Sequence, residues 1–309
     1  MKRVSIITWY SSGNYGTTLQ AFALHKKLQD LGYDVSILKE FEFNSKSNTI
    51  KYILTKLKLL NYFKKRKYSS DKRKLRLYKF ISDNINVCEI FSNRQLKKLV
   101  YNTDVFITGS DQIWNAWFCY NPFYFLNFAA NKKRIAYATS IGTKSFPDKY
   151  KKDIKKLLSQ FNSIAVREKS AINIINDLLE DNSCIQVVDP TFLLEKKEWE
   201  EIASKAVLNF SIPSKYILCY LIGNDNNYKS QLEEVKQKTQ IENVIIIPSL
   251  ENPTFSIDNA IVYNEAGPLE FVNLIQNAAL VCTDSFHATT ISIISSVKFV
   301  NSSLKISLA

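Results

Sequence analysis

Val4-Ser5-Ile6-Ile7-Thr8-Trp9-Tyr10-Ser11-Ser12-Gly13-Asn14-Tyr15-Gly16-Thr17-Thr18-Leu19 opens the chain and decides how the rest is read. Val4 to Tyr10 is β-rich and largely apolar, the pattern of a buried strand. Ser11 to Thr18 is a turn with two glycines. From Leu19 to Leu31 the side chains Leu19, Phe22, Ala23 and Leu28 fall on or near one stripe, which predicts a helix. Gly32 suits the position just past its end, and Val35 to Phe41 reads as a second strand. Strand, glycine turn, helix, strand is a βαβ unit, which predicts an α/β fold with a parallel sheet. The turn faces a helix N-terminus, where a phosphate or carboxylate can be held. It matches neither glycine-rich nucleotide signature, so a plain tight turn explains it as well.

Working outward, the pattern recurs. Val105 to Thr108 is a strand ending in Gly109-Ser110-Asp111-Gln112-Ile113-Trp114-Asn115. Arg134 to Thr139 ends in Ser140-Ile141-Gly142, Ile164 to Val166 in Arg167-Glu168-Lys169-Ser170, and Ile185 to Val188 in Asp189-Pro190-Thr191. Four successive strands thus stop in a short polar motif, at the edge where open α/β sheets bind ligands. Turn chemistry accounts for part of this, since Asp-Pro and Gly-Ser form loops readily. Tyr216 to Ile222 opens a second α/β unit, with helices at Asn227 to Gln240 and Pro268 to Asn277 and a strand at Val244 to Ile247. The apolar run Ala278 to Val281 then meets Thr283, Asp284 and Ser285, all good helix N-caps. A helical segment follows from Ala288 to Val297, and Lys298 to Asn301 reads as a last strand. His287 therefore belongs in the first turn of a helix, just past a strand. A histidine there can carry a proton near neutral pH, or it can simply cap or pack.

The expected division is 1–195, an N-terminal Rossmann-like domain with a basic helical insertion at about 46–100, and 196–309, a C-terminal Rossmann-like domain. Residues 46–100 hold neither glycine nor proline and read as two or three basic amphipathic helices. Between Lys46 and Lys79 stand thirteen Lys or Arg against Asp71 alone, which accounts for the whole formal charge of +12. Such a run suits a local anionic partner or a solvated helical face. His25 reads as an ordinary helix residue. Cys88, Cys119, Cys184, Cys219 and Cys282 show no metal or redox spacing, so free thiols in a reducing, cytoplasmic setting are expected. No apolar run is long enough to span a membrane, and Val4 to Tyr10 is too short for a signal peptide.

Six motifs together resemble the polysaccharide pyruvyl transferases: Asn14 to Gln20, Gly109 to Asn115, Tyr137 to Gly142, Val166 to Ser170, Asp189 to Leu194 and Ser285 to Thr289. They follow that family's order over nearly the whole chain. The resemblance implies two Rossmann-like halves in a GT-B-like arrangement. It implies phosphoenolpyruvate as donor, a sugar of a surface glycan or its lipid-linked precursor as acceptor, and a pyruvate ketal as product. Under that resemblance His287 is the general acid, and Arg167 pairs with the donor's carboxylate or phosphate unless it is held in an ion pair. Asp111 accepts the acceptor's proton or caps a helix, with Asp284 read as the cap at the histidine. Ser285 and Ser140 donate to the anion, and Asn14 and Gly16 shape a cleft. Neither metal nor resident cofactor is expected. The basic run would suit peripheral contact with an anionic membrane face, and no nucleic acid is expected. The second half is short for a GT-B lobe, as either a truncated frame or a compact variant. A nucleotide-sugar glycosyltransferase and a non-catalytic basic binding protein are the competing readings.

Overall fold

The structure, a computed structural model, describes residues 1–41 and 71–301. Its first strand, β1 (Arg3–Ile7), is buried at every position after Arg3. This is the environment of a central parallel strand, and it explains the unbroken apolar run. β2 (Asp34–Leu38) and β4 (Val105–Thr108) flank it in parallel. With β3 (Val87–Cys88), β5 (Lys133–Thr139), β6 (Ser163–Val166) and β7 (Ile185–Gln186) they form a sheet of order β3-β2-β1-β4-β5-β6-β7. The second sheet contains β8 (Ile217–Tyr220), β9 (Val244–Ile246), β10 (Ile261–Val262), β11 (Leu280–Thr283) and β12 (Phe299–Asn301). Its order is β10-β9-β8-β11-β12, again parallel throughout. In both sheets the chain steps outward on one side and then returns to the other. The reversal puts a ligand-binding crevice at the carboxyl ends of β1 and β4, and of β8 and β11.

The chain forms two compact units. Within the described residues the first comprises Met1–Tyr10, 20–41 and Ile81–Leu193, and the second Ser11–Leu19, 71–80 and 194–301. The sequence reading divided the chain once, at 195/196; here two short N-terminal segments join the second unit. Aromatic packing accounts for the first of them. The Tyr15 ring stacks on Phe271 at 4.5 Å and packs against Tyr220 at 5.6 Å.

Each unit has its own core. In the first, the fully buried Trp114 stacks on Phe125 at 5.3 Å, and its indole N–H donates to the Tyr124 carbonyl at 3.1 Å. Truncating such a side chain costs about 3–5 kcal/mol. In the second, Ile217, Cys219, Leu232, Val235 and Val244 pack together. Cys184, Cys219 and Cys282 are buried free thiols, whereas Cys119 is exposed.

Of the expected basic helices, Lys72–Asn84 and Asn93–Asn102 are present. Between them lies β3, which the sequence reading missed because two residues carry no periodicity. The rest of the insertion, residues 42–70 with most of the basic run, lies outside the described residues. Among the described residues no helix is long and apolar enough to cross a membrane.

Candidate functional site

In the first unit the expected residues Asp111, Ser140 and Arg167 stand beyond the carboxyl ends of the neighbouring strands β4, β5 and β6. Asp189, on the segment after β7, gathers the polar contacts around Arg167. One carboxylate oxygen accepts from Arg167 Nη1 and from Ser110 Oγ, both at 3.1 Å. The other accepts from the Thr191 amide at 3.0 Å and its hydroxyl at 2.8 Å. The Asp189 side chain is fully buried and that of Arg167 is 13% exposed. The alternative weighed for Arg167 was a surface or interdomain ion pair; the pair that forms is largely buried and lies within its own unit.

Glu168 plays a similar part beside it. Its Oε1 accepts from Ser140 Oγ at 3.0 Å and from the amides of Ile141 and Gly142 at 2.8 and 3.2 Å. Ser140, expected to donate to a substrate anion, directs its single hydroxyl proton to Glu168 instead. Asp111 adopts φ 71°, a left-handed backbone that Asp tolerates better than most residues. Its carboxylate accepts the Gln112 amide at 2.8 Å, the cap-like alternative of its two expected roles. Asp189 and Glu168 belong to the strand-end motifs but stand outside the expected site residues. A strand-terminal Asp-Pro-Thr marked the place, but its neighbours across the sheet are not visible in sequence.

The second unit gathers Asn14, Gly16, Ser285 and His287. β11 delivers the chain to Ser285, whose side chain accepts the Ala288 amide at 3.3 Å and so caps the helix Phe286–Ser295. The cap is therefore Ser285 and not Asp284. Asp284 instead binds the loop after β8, accepting from the amides of Ile222 and Gly223 at 2.6 and 2.7 Å and from the Tyr228 hydroxyl at 2.8 Å. His287 sits in the first helical turn, as expected, with 8% of its surface exposed. Phe286 meets it edge-on, with centroids 5.1 Å apart.

The imidazole lies against the backbone of Gly16. A Cβ at that position would stand 2.1 Å from His287 Nδ1, 2.4 Å from Cγ and 2.7 Å from its Cβ. Only glycine permits this approach. Gly16 is held in turn by Asn14, whose Oδ1 accepts its amide at 2.9 Å at the start of the helix Tyr15–Asp30. Asn14 and Gly16 thus shape the histidine's surroundings. Near them lies Arg73, a residue the sequence reading left inside the basic run. Its guanidinium covers the Tyr15 ring at 4.7 Å, and its Nη1 donates to the Pro248 carbonyl at 2.7 Å, just beyond β9.

Among solved structures, the chain is similar to a UDP-GlcNAc 2-epimerase from Methanocaldococcus jannaschii, with TM-score 0.53 and 15% identity over 97% of this chain and 83% of that one. A putative UDP-N-acetylglucosamine 2-epimerase from Listeria monocytogenes gives TM-score 0.53 and 11% identity, covering 97% and 78%. Arabidopsis thaliana UGT89C1, complexed with UDP-L-rhamnose, gives 0.51 and 12%, covering 97% and 78%. At these identities the likeness concerns the fold, two parallel α/β sheets of the kind found in GT-B-type sugar enzymes. Comparison with curated proteins finds no match. The family model "Polysaccharide pyruvyl transferase" matches residues 14–303, nearly the whole chain and every motif discussed above. The chain therefore belongs to the polysaccharide pyruvyl transferase family.

Proposed function

We propose that this chain transfers the three-carbon unit of phosphoenolpyruvate to two hydroxyls of one sugar, forming a cyclic ketal and releasing inorganic phosphate. The observation that carries the reading, beside the family, is the imidazole of His287 held against Gly16 at the start of a helix beyond β11. Helix N-termini favour anions, and a positioned histidine is the commonest general acid near neutral pH.

The steps balance as follows. His287 in its protonated form gives a proton to the methylene carbon of the donor, which becomes a methyl group. The central carbon gains oxocarbenium character, and the first sugar hydroxyl adds to it. The bond between that carbon and the phosphate oxygen then breaks, and the second hydroxyl closes the ring. Of the two hydroxyl protons lost by the sugar, one replaces the proton given up by the histidine and the other leaves with phosphate. Stabilising the cationic carbon beside a carboxylate needs fixed dipoles and little solvent. Ser285 completes the helix start on which the histidine stands, and Asn14 fixes the glycine beneath it. Arg167, Asp111 and Ser140 order the carboxyl end of the first sheet in this reading.

The acceptor is a sugar of a surface glycan or its lipid-linked precursor, at the cytoplasmic face of the membrane. The test is direct. The protein is incubated with phosphoenolpyruvate and hexopyranosides offering 4,6- and 3,4-diols, and phosphate release is followed together with the new methyl signal by NMR. Stoichiometric phosphate and ketal methyl are expected. Turnover of UDP-N-acetylglucosamine, the sugar nucleotide for which two of the fold's neighbours are named, without turnover of phosphoenolpyruvate would replace this reading with a sugar-nucleotide one.

A further inference from the structure

The first five residues of the helix Lys72–Asn84 carry four cations, and three of them have an acid. Lys72 pairs with Glu265 at 2.8 Å, Lys74 with Asp71 at 2.9 Å, and Arg76 with Glu270 at 3.5 Å. Arg73 has none among the described residues. It is also the cation turned inward, with its guanidinium on Tyr15 and its Nη1 on the Pro248 carbonyl. Its Nη2 is shut off from solvent and has no hydrogen-bond partner among the described residues, while the residue as a whole is half-buried. Buried polar nitrogens are nearly always paired, and one left without a partner is costly. Tyr15 does not supply the missing charge, because burial pushes its phenol up, only partly offset by Arg73 itself. Glu251 is exposed and forms no ion pair with Arg73.

The position is as telling as the charge. Arg73 joins the first residue of the helix Tyr15–Asp30 to the segment after β9. There the Leu250 side chain fills the space where a Cβ on Gly13 would stand. The next residue after Tyr15 is Gly16, on which His287 rests. We propose that Arg73 is the oxyanion-binding residue of the His287 site, its fork taking a phosphate or carboxylate of the substrate. A guanidinium suits this better than an ammonium, since it presents paired donors in one plane. The inference rests on the anionic donor of the proposed function and adds a residue to it.

Inorganic phosphate and pyruvate serve as separate probes, one for each anionic group of the donor, with binding read by thermal shift and calorimetry. Wild type is expected to bind at least one of them, and Arg73→Gln to bind it at least tenfold more weakly. In turnover, Arg73→Gln should raise KM for phosphoenolpyruvate at least tenfold with kcat changed less than threefold. Arg73→Lys should fall between the two. A residue that only clamps the two segments would move stability and leave the anion affinity and this KM in place. Should Arg73→Gln fold poorly, 15N-arginine labelling of wild type reads the same contact, through a shift of the Arg73 side-chain signal on addition of phosphate or pyruvate. Equal anion binding in wild type and both variants, or a silent Arg73 signal, overturns the assignment. Anion binding lost in the variants, with no pyruvyl transfer by wild type, would keep Arg73 as an anion ligand and remove the pyruvyl reading alone.

Discussion

At the carboxyl end of the first sheet, Arg167 faces Asp189 at 3.1 Å and Glu168 takes three donors from its own neighbours. At the carboxyl end of the second sheet, His287 rests on a glycine and Arg73 on a tyrosine ring, while Asp284 is spent on the loop after β8 and Glu270 pairs with Arg76. Both places stand at the carboxyl ends of parallel strands, where α/β sheets bind ligands. The difference teaches that position alone does not make a reactive group. The first network satisfies its carboxylates with its own hydroxyls, amides and one guanidinium, and in the proposal it serves as scaffold. The second keeps an imidazole and a guanidinium in the same unit without an acid paired to Arg73, as an anionic substrate requires.

Substitutions can break or sharpen this contrast. The largest effect on stability is expected from Arg167→Met. It leaves the fully buried Asp189 carboxylate with two hydroxyls and one amide, and breaking a buried pair in this way costs about 3–5 kcal/mol. Chemical denaturation should show this loss. A variant as stable as wild type would mean that the first network is not scaffold. Gly16→Ala comes next. The added methyl would meet the ring and Cβ of His287, so rotating the ring alone does not clear it. Overpacking of this kind costs about 1–3 kcal/mol, and pyruvyl transfer should fall well beyond what that loss of stability explains. Activity unchanged in Gly16→Ala would detach the histidine from the chemistry.

Smaller still is Ser285→Ala. It removes the cap at 3.3 Å and should cost about 1 kcal/mol, whereas Asp284→Asn should leave that helix start intact while loosening the loop after β8. Equal effects at the helix would contradict the corrected capping. The smallest is a pH effect in the first unit. His25 is 1% exposed, and its Nε2 accepts the Asn86 amide at 3.2 Å, so burial holds its pKa below the ordinary 6.5. As pH falls below 6.5 the unfolded chain binds a proton that the folded chain resists, so stability is present above that pH and is lost on the acid side. His25→Gln should flatten the slope of melting temperature against pH in that window; an unchanged slope would assign it elsewhere.

What was legible in the sequence, and what was not, follows from how local each signal is. The run Val4 to Tyr10 and the turn after it revealed the central strand and its switch-point loop, because burial on both faces leaves an unbroken apolar stretch. His287 was placeable because a strand, three cap formers and a helix follow one another without a gap. Which of Thr283, Asp284 and Ser285 caps the helix was not, since all three suit the position and only the partners of Asp284 decide. Val87–Cys88 and Ile261–Val262 are too short to carry a period. The contact of Gly16 with His287 joins opposite ends of the chain, and no local pattern encodes it. Arg73 was hidden for another reason: among thirteen basic residues, composition cannot mark the one that turns inward.

The central claim is that the second unit's imidazole hands a proton to the donor's methylene carbon. Transfer from phosphoenolpyruvate to a hexopyranoside diol in D2O, with the product read by mass spectrometry, tests it most directly. The account predicts one deuterium in the ketal methyl group for wild type. For His287→Gln, folded as judged by circular dichroism, it predicts a fall in transfer of about 10²–10⁴-fold, the range typical of a lost general acid. Ketal formed by His287→Gln at the wild-type rate would contradict it.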